Sequence, residues 1–113
     1  MTVKLTDHAI ERSTYVITVA FTNESGVAVT PSAATWTLTD RAGAVINSRS
    51  AVVIGSLAAS VNILLQGDDL ALPDVRYRYR LVTVEYTYSS LLGSNLPGKE
   101  EIGFYIDPLR VVA

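Results

Sequence analysis

A chain of 113 residues that is 49% hydrophobic and 18% charged, with a net charge of −2, has the size of one domain and enough apolar side chains for a core. It has no cysteine and one histidine, which excludes a disulfide framework, a thiol nucleophile and a zinc centre built on several thiolates or imidazoles. The slight acidic balance argues against a general nucleic-acid binder, which carries a basic excess.

The first ten residues, MTVKLTDHAI, lack the apolar h-region and small-residue cleavage site of a signal peptide. No apolar run approaches the roughly 20 residues of a membrane-spanning helix. The expectation is therefore a soluble protein made in the cytoplasm, with no membrane partner. Residues 1–12 read as a loosely ordered arm, and His8 as a solvated terminal histidine.

From Thr14 to Thr22 the chain alternates, with Tyr15, Ile17, Val19 and Phe21 on one face and Thr14, Thr18 and Thr22 on the other. Successive strand side chains point to opposite faces, so this is a half-buried strand. Asn23-Glu24-Ser25-Gly26 ends it with turn residues, and Pro31 stops any short edge segment after it. Ala34, Trp36 and Leu38 alternate with Thr35, Thr37 and Thr39 in a second strand. Asp40-Arg41-Ala42-Gly43 then makes a tight turn, after which Val45 to Ser48 should return antiparallel to the Trp36 strand. Residues 51–57 are apolar without a clear period, and their pairing stays open.

Ala59, Val61, Ile63 and Leu65 form a further inward set. GDDLALP, residues 67–73, reads as a turn-rich crossing. Residues 74–90 form the longest extended run. Its early half sets Tyr77, Tyr79 and Leu81 against Arg76, Arg78 and Arg80, and its later half is apolar on the opposite parity, at Val82, Val84, Tyr86 and Tyr88. Such a phase change suggests a β-bulge near Leu81–Thr83. Ile102, Phe104 and Ile106 mark the last strand. Six or seven short strands separated by turns predict one all-β domain over residues 1–113, an antiparallel two-sheet sandwich.

Two local patterns resemble the immunoglobulin and fibronectin-III-like sandwiches. One is Trp36 in Ala34-Thr35-Trp36-Thr37-Leu38, where that family buries an indole. The other is Leu72-Pro73-Asp74-Val75-Arg76-Tyr77, similar to the family's Leu-Pro-x-x-x-Tyr run, although the leucine here is one position closer to the proline. The resemblance implies that Tyr77 is a tyrosine corner, its hydroxyl bonded to backbone just upstream. Trp36-Thr37-Leu38-Thr39-Asp40-Arg41-Ala42-Gly43 also resembles a hairpin of small structural proteins in tailed bacteriophage virions. That likeness implies a structural or assembly module of a tail, baseplate or head-completion complex, with other structural proteins or itself as partner.

Enzyme readings find little support. One histidine cannot build a metal cluster or more than one base pairing, and no serine sits in a Gly-x-Ser-x-Gly elbow. No cofactor is expected. Asp68, Asp69 and Asp74 could give oxygen ligands to a cation such as Ca²⁺, yet they lack ordered ligand spacing, and aspartates in a turn more often cap or solvate it. The Arg76, Arg78 and Arg80 row is a candidate docking surface for an acidic protein. Strand geometry would put these arginines opposite Tyr77 and Tyr79, which argues against one nucleic-acid stacking platform. In the loop SSLLGSNLPG, Leu91, Leu92 and Leu96 are the other candidate interface, because exposed apolar clusters mark interaction surfaces. The alternative is that they fold back over the end of the domain. Asn23-Glu24-Ser25 matches a glycosylation sequon, of little weight without an export signal. The competing functional reading is a ligand- or carbohydrate-binding domain of an adhesin or other surface protein, for which Tyr86, Tyr88 and Tyr105 are the candidate exposed aromatics.

Overall fold

The computed structural model describes residues 2–74 and 76–109, so Val75 of the Leu-Pro run lies outside the described residues. Among them the chain is all-β. Its strands are β1 (Thr2–Lys4), β2 (Ala9–Ile10), β3 (Thr14–Ala20), β4 (Ala33–Asp40), β5 (Val52–Val53), β6 (Ser60–Gln66), β7 (Tyr79–Ser90) and β8 (Gly93–Asp107), with one 3₁₀ turn at Gly67–Leu70.

The period-two segments form strands in the expected phase. In β3 Ile17 and Val19 point inward, in β4 Ala34, Trp36 and Leu38, in β6 Val61, Ile63 and Leu65, and in β8 Ile102, Phe104 and Ile106. The turns between them close on side chains. Asp40 accepts the N–H groups of Ala42 (2.9 Å) and Ala44 (3.0 Å), with Gly43 at φ 93°. Asn23 does the same for Ser25 and Val27.

Pairing divides the strands into two sheets. β3 and β6 pair antiparallel over their whole length, from Thr14↔Gln66 to Ala20↔Ser60. The other sheet runs β1-β8-β7-β4-β5, with β2 also on β8. It is mixed, because β1 and β2 lie parallel to β8 while β4, β7 and β8 are antiparallel. Residues 2–12 are thus not a loose arm but carry two short strands. The open question of 51–57 resolves to β5, whose Val52 and Val53 lie beside Trp36 and Thr35. The expected return at Val45 to Ser48 is shorter than a strand. It makes one bridge, Thr39↔Val45, and then leaves through left-handed Asn47 and Ser48.

One buried cluster takes side chains from both sheets. Tyr15 meets Phe104 at 5.0 Å and Phe21 meets Tyr86 at 4.9 Å between ring centroids. The Tyr86 hydroxyl donates to the Thr22 carbonyl at 2.9 Å. Trp36 is 7% exposed, in the same cluster as Val19, Ile63 and Phe104. Burial of this apolar surface is the dominant stabilising term.

β7 departs from expectation. Its inward set is Arg80, Val82, Val84, Tyr86 and Tyr88, one unbroken parity. The register with β8 runs without interruption from Tyr79↔Tyr105 to Tyr88↔Leu96, so there is no bulge at Leu81–Thr83. The irregularity lies between Tyr88 and Ser90, opposite an extra residue in β8 where Asn95 takes φ 55°, a conformation asparagine tolerates. Residues 76–78 precede the strand.

Arg80 is therefore not on the solvated row; it is 3% exposed. Its Nη1 donates to the carbonyls of Tyr77 (2.8 Å) and Tyr79 (3.0 Å), and its Nη2 to that of Ala71 (3.4 Å). Tyr77 does not act as a corner: it is 65% exposed, with the Arg76 guanidinium 5.6 Å over its ring. The buried guanidinium of Arg80 ties the crossing to the start of β7 in its place. Burial lowers the Arg80 pKa, an effect the charge of Asp40 partly offsets.

Candidate functional site

The molecule measures 52 × 25 × 22 Å, and features capable of recognition lie at both ends of β7, about 40 Å apart at 3.3 Å per residue. At one end β7 and β8 continue beyond β4, which stops opposite Thr87. Ser90↔Gly93 is their last pair, so Leu91 and Leu92 form the turn itself. Leu91 is fully exposed and Leu92 is 76% exposed. Leu96 differs: it is half-buried and packs on the core below the tip. The Glu24 carboxylate flanks the tip, accepting from the hydroxyls of Ser90 (2.9 Å) and Tyr88 (3.2 Å). Burial, and then the bond and charge of Glu24, raise the Tyr88 pKa.

At the other end is a cleft of about 690 Å³ lined by Asp40, Arg41, Ala42, Arg76, Tyr77, Arg78, Tyr79 and Tyr105. Strand register assembles it, since Asp40 lies opposite Arg80 and Tyr79 opposite Tyr105. The Arg41 guanidinium sits 4.8 Å over the Tyr79 ring. Tyr79 and Tyr105 meet edge to face at 4.9 Å, and His8 lies 5.7 Å from Tyr105. His8 is not a free terminal group, because its Nδ1 is 2.9 Å from the Asp107 carboxylate. Arg76 binds Asp74 at 2.9 Å, which holds the Asp74 carboxyl below its ordinary value. Tyr79 lies over Gly103, where any Cβ would collide with its phenol.

The cleft overturns the expected separation of arginines from tyrosines. Residues 76–78 lie outside the strand, after a turn closed by the Tyr77 N–H on the Asp74 carbonyl, and Arg76, Tyr77 and Arg78 line the same space as Tyr79. Arg80 lies behind it, buried, and cannot present its guanidinium to a partner. Of the aromatics expected to serve a ligand, Tyr105 lines the cleft, whereas Tyr86 and Tyr88 are buried; Arg41 was not singled out from sequence, because only the β4–β7–β8 register brings it beside Tyr79.

The aspartates of the crossing do not converge. Asp68 pairs with Arg12 at 2.6 Å, Asp74 with Arg76, and Asp69 with Arg49 at 2.8 Å. Among the described residues no group of three or more His, Asp or Glu side chains is placed to hold a metal ion. Asp69 is fully buried and accepts from Asn47 (2.8 Å), Arg49 Nε (2.8 Å) and the Gln66 N–H (3.1 Å). Burial pushes its pKa up, but these bonds and the Arg49 charge outweigh burial and hold the carboxyl below its ordinary 3.8. Its place is structural: it fixes the 3₁₀ turn against the loop after β4.

Among the described residues no helix is long and apolar enough to cross a membrane. No family model, no curated protein and no solved structure matches this chain.

Proposed function

We propose that the chain is a non-enzymatic assembly module of immunoglobulin or fibronectin-III-like type, working by protein–protein contact. Strand order supports the sandwich. β4, β7 and β8 follow the C-F-G order of that architecture, β5 takes the C′ position beside β4, and β3 with β6 matches its B–E pair. The observation that carries the functional reading is the hairpin tip, where two leucines project beyond the sheet with a carboxylate beside them. Burying a leucine is worth about 1.5–3 kcal/mol, enough for the pair to anchor a contact after the entropy cost of association. The resemblance of the Trp36–Gly43 hairpin to bacteriophage virion proteins makes a tail, baseplate or head-completion component the setting, as an analogy of pattern.

The test is light scattering over a range of concentrations with wild type and the Leu91→Ser/Leu92→Ser variant. The expected result is association in the wild type that weakens in the variant at unchanged thermal stability. A wild type that stays monomeric at every concentration refutes the assembly reading.

The cleft favours a second reading, a ligand-binding domain. Tyrosine faces suit sugar rings and guanidinium groups suit carboxylates or sulfates. Binding of an anionic oligosaccharide that is lost in Arg41→Ala and Tyr79→Ala would select this reading over assembly.

A further inference from the structure

The β3–β6 sheet has two strands and, among the described residues, no third. In an antiparallel strand the N–H and C=O of one residue point to the same neighbour, and those of the next point away. The Phe21 N–H donates to Ala59 and the Gly67 N–H to Ser13, so odd-numbered residues of β6 face β3. The main-chain groups of Ser60, Asn62 and Leu64 face the other way, along a flank where no described strand lies.

That flank is a groove of about 460 Å³, with Trp36, Val53 and Ile54 across from Ser60, Asn62 and Leu64. The chain approaches β3 at Asp7, whose carbonyl accepts from the Tyr15 hydroxyl at 2.8 Å. Sheet edges are ordinarily blunted by lysine, proline, a bulge or brevity. β6, Ser-Val-Asn-Ile-Leu-Leu-Gln, has seven residues, no charge and no proline, and its register with β3 is unbroken. On its outer face Leu64 is 50% exposed beside Val16, its direct partner.

We propose that β6 pairs antiparallel with β6 of a second copy about a two-fold axis at Ile63, making a continuous four-stranded sheet β3-β6-β6-β3. The inference rests on the assembly reading and names its self-contact. In this register Asn62 lies opposite Leu64 of the second copy and Leu64 opposite its Asn62. Each such pair exchanges both of its main-chain bonds, about four in all. A second copy is the occupant because its β6 is uncharged, extended and itself unpaired on this side. Joining the two satisfies both edges at once, and no like charges meet. Val53, exposed on the rim of the same groove, adds apolar contact. An interface of this kind is isologous and closes at the dimer, so the hairpin tip remains available for contacts beyond it.

The experiment compares the full-length wild type with Leu64→Lys, Asn62→Lys and Leu91→Ser/Leu92→Ser by sedimentation velocity, with amide hydrogen exchange on each species. Both lysine substitutions sit on the exposed face and put a charge on the edge without touching the core. The expected result is loss of the dimer in Leu64→Lys and Asn62→Lys at unchanged melting temperature, while the tip variant stops at the dimer. Exchange at the Asn62 and Leu64 amides should slow at least tenfold in the wild-type dimer and not in the lysine variants, with Ile63 protected in all of them. Association that survives both lysine variants, with the Asn62 and Leu64 amides still exchanging freely, overturns the edge contact and leaves the assembly reading standing. A wild type monomeric throughout overturns both.

Discussion

Replacing Asp69 by asparagine tests how the crossing between β6 and β7 is held. The side chain keeps its shape but loses its charge, and one oxygen becomes an N–H donor. The groups around it are all donors: Asn47, Arg49 and the Gln66 N–H. One of them must then face another donor. Removing one partner of a buried ion pair costs about 3–5 kcal/mol. Arg49 is 40% exposed and regains water, which reduces the expected loss to about 2–3 kcal/mol. For a chain of this length that lowers the melting temperature by about 10 °C at pH 7. The loss is pH-dependent. Because the folded-state carboxyl titrates below its ordinary 3.8, its contribution is complete above that pH and disappears as pH falls through the folded-state value. Thermal melts of wild type and Asp69→Asn between pH 7 and pH 2.5 should therefore converge in acid. Equal stability at pH 7, or a gap that stays constant into acid, would refute the argument.

Arg80→Met should destabilise by about 1–3 kcal/mol in urea denaturation, because it removes the guanidinium donors from the carbonyls of Tyr77 and Tyr79; an unchanged midpoint would show that the guanidinium does not hold the crossing. Tyr77→Phe should leave the midpoint within about 0.5 kcal/mol, as an exposed substitution does, and a larger loss would restore the tyrosine corner. Gly98→Ala should cost about 1–3 kcal/mol by overpacking, since its Cβ would enter the space of the Tyr86 ring, which Phe21 and the bond to Thr22 hold in place; a wild-type melting curve would contradict that packing.

The strands that alternated cleanly in sequence are the ones whose two faces meet different surroundings. β3, β4, β6 and the second half of β8 each have one face in the core, so apolar period and burial coincide. The segment before Val82 misled because charge was read as exposure. Counting the parity of Val82, Val84 and Tyr86 backward places Arg80 inward, and its two terminal guanidinium nitrogens bond carbonyls that no sequence pattern announces. Arg76 to Arg78 alternate like a strand, yet Asp74 turns the chain there by accepting from the Arg76 N–H and side chain. Leu91 and Leu92 were legible as an apolar tip. Leu96 was grouped with them although the β8 bulge turns it toward the core. The cleft depends on register between distant strands and could not be read from any one segment.

The distribution of strands explains why one sheet is long and the other exposed. Here β1 and β2 join β8, and residues 52–53 join β4, so the strands available for flanking go to the larger sheet. What remains is a two-stranded ribbon, marginal in water by itself. It is held by Ile17, Val19, Val61, Ile63 and Leu65, all buried against the facing sheet. Its inner face is therefore fixed by packing, while the outward main-chain groups of Ser60, Asn62 and Leu64 face no strand among the described residues. A ribbon stabilised through one face can accept a strand at its edge without repacking the core. That makes edge pairing at β6 compatible with the fold as it stands.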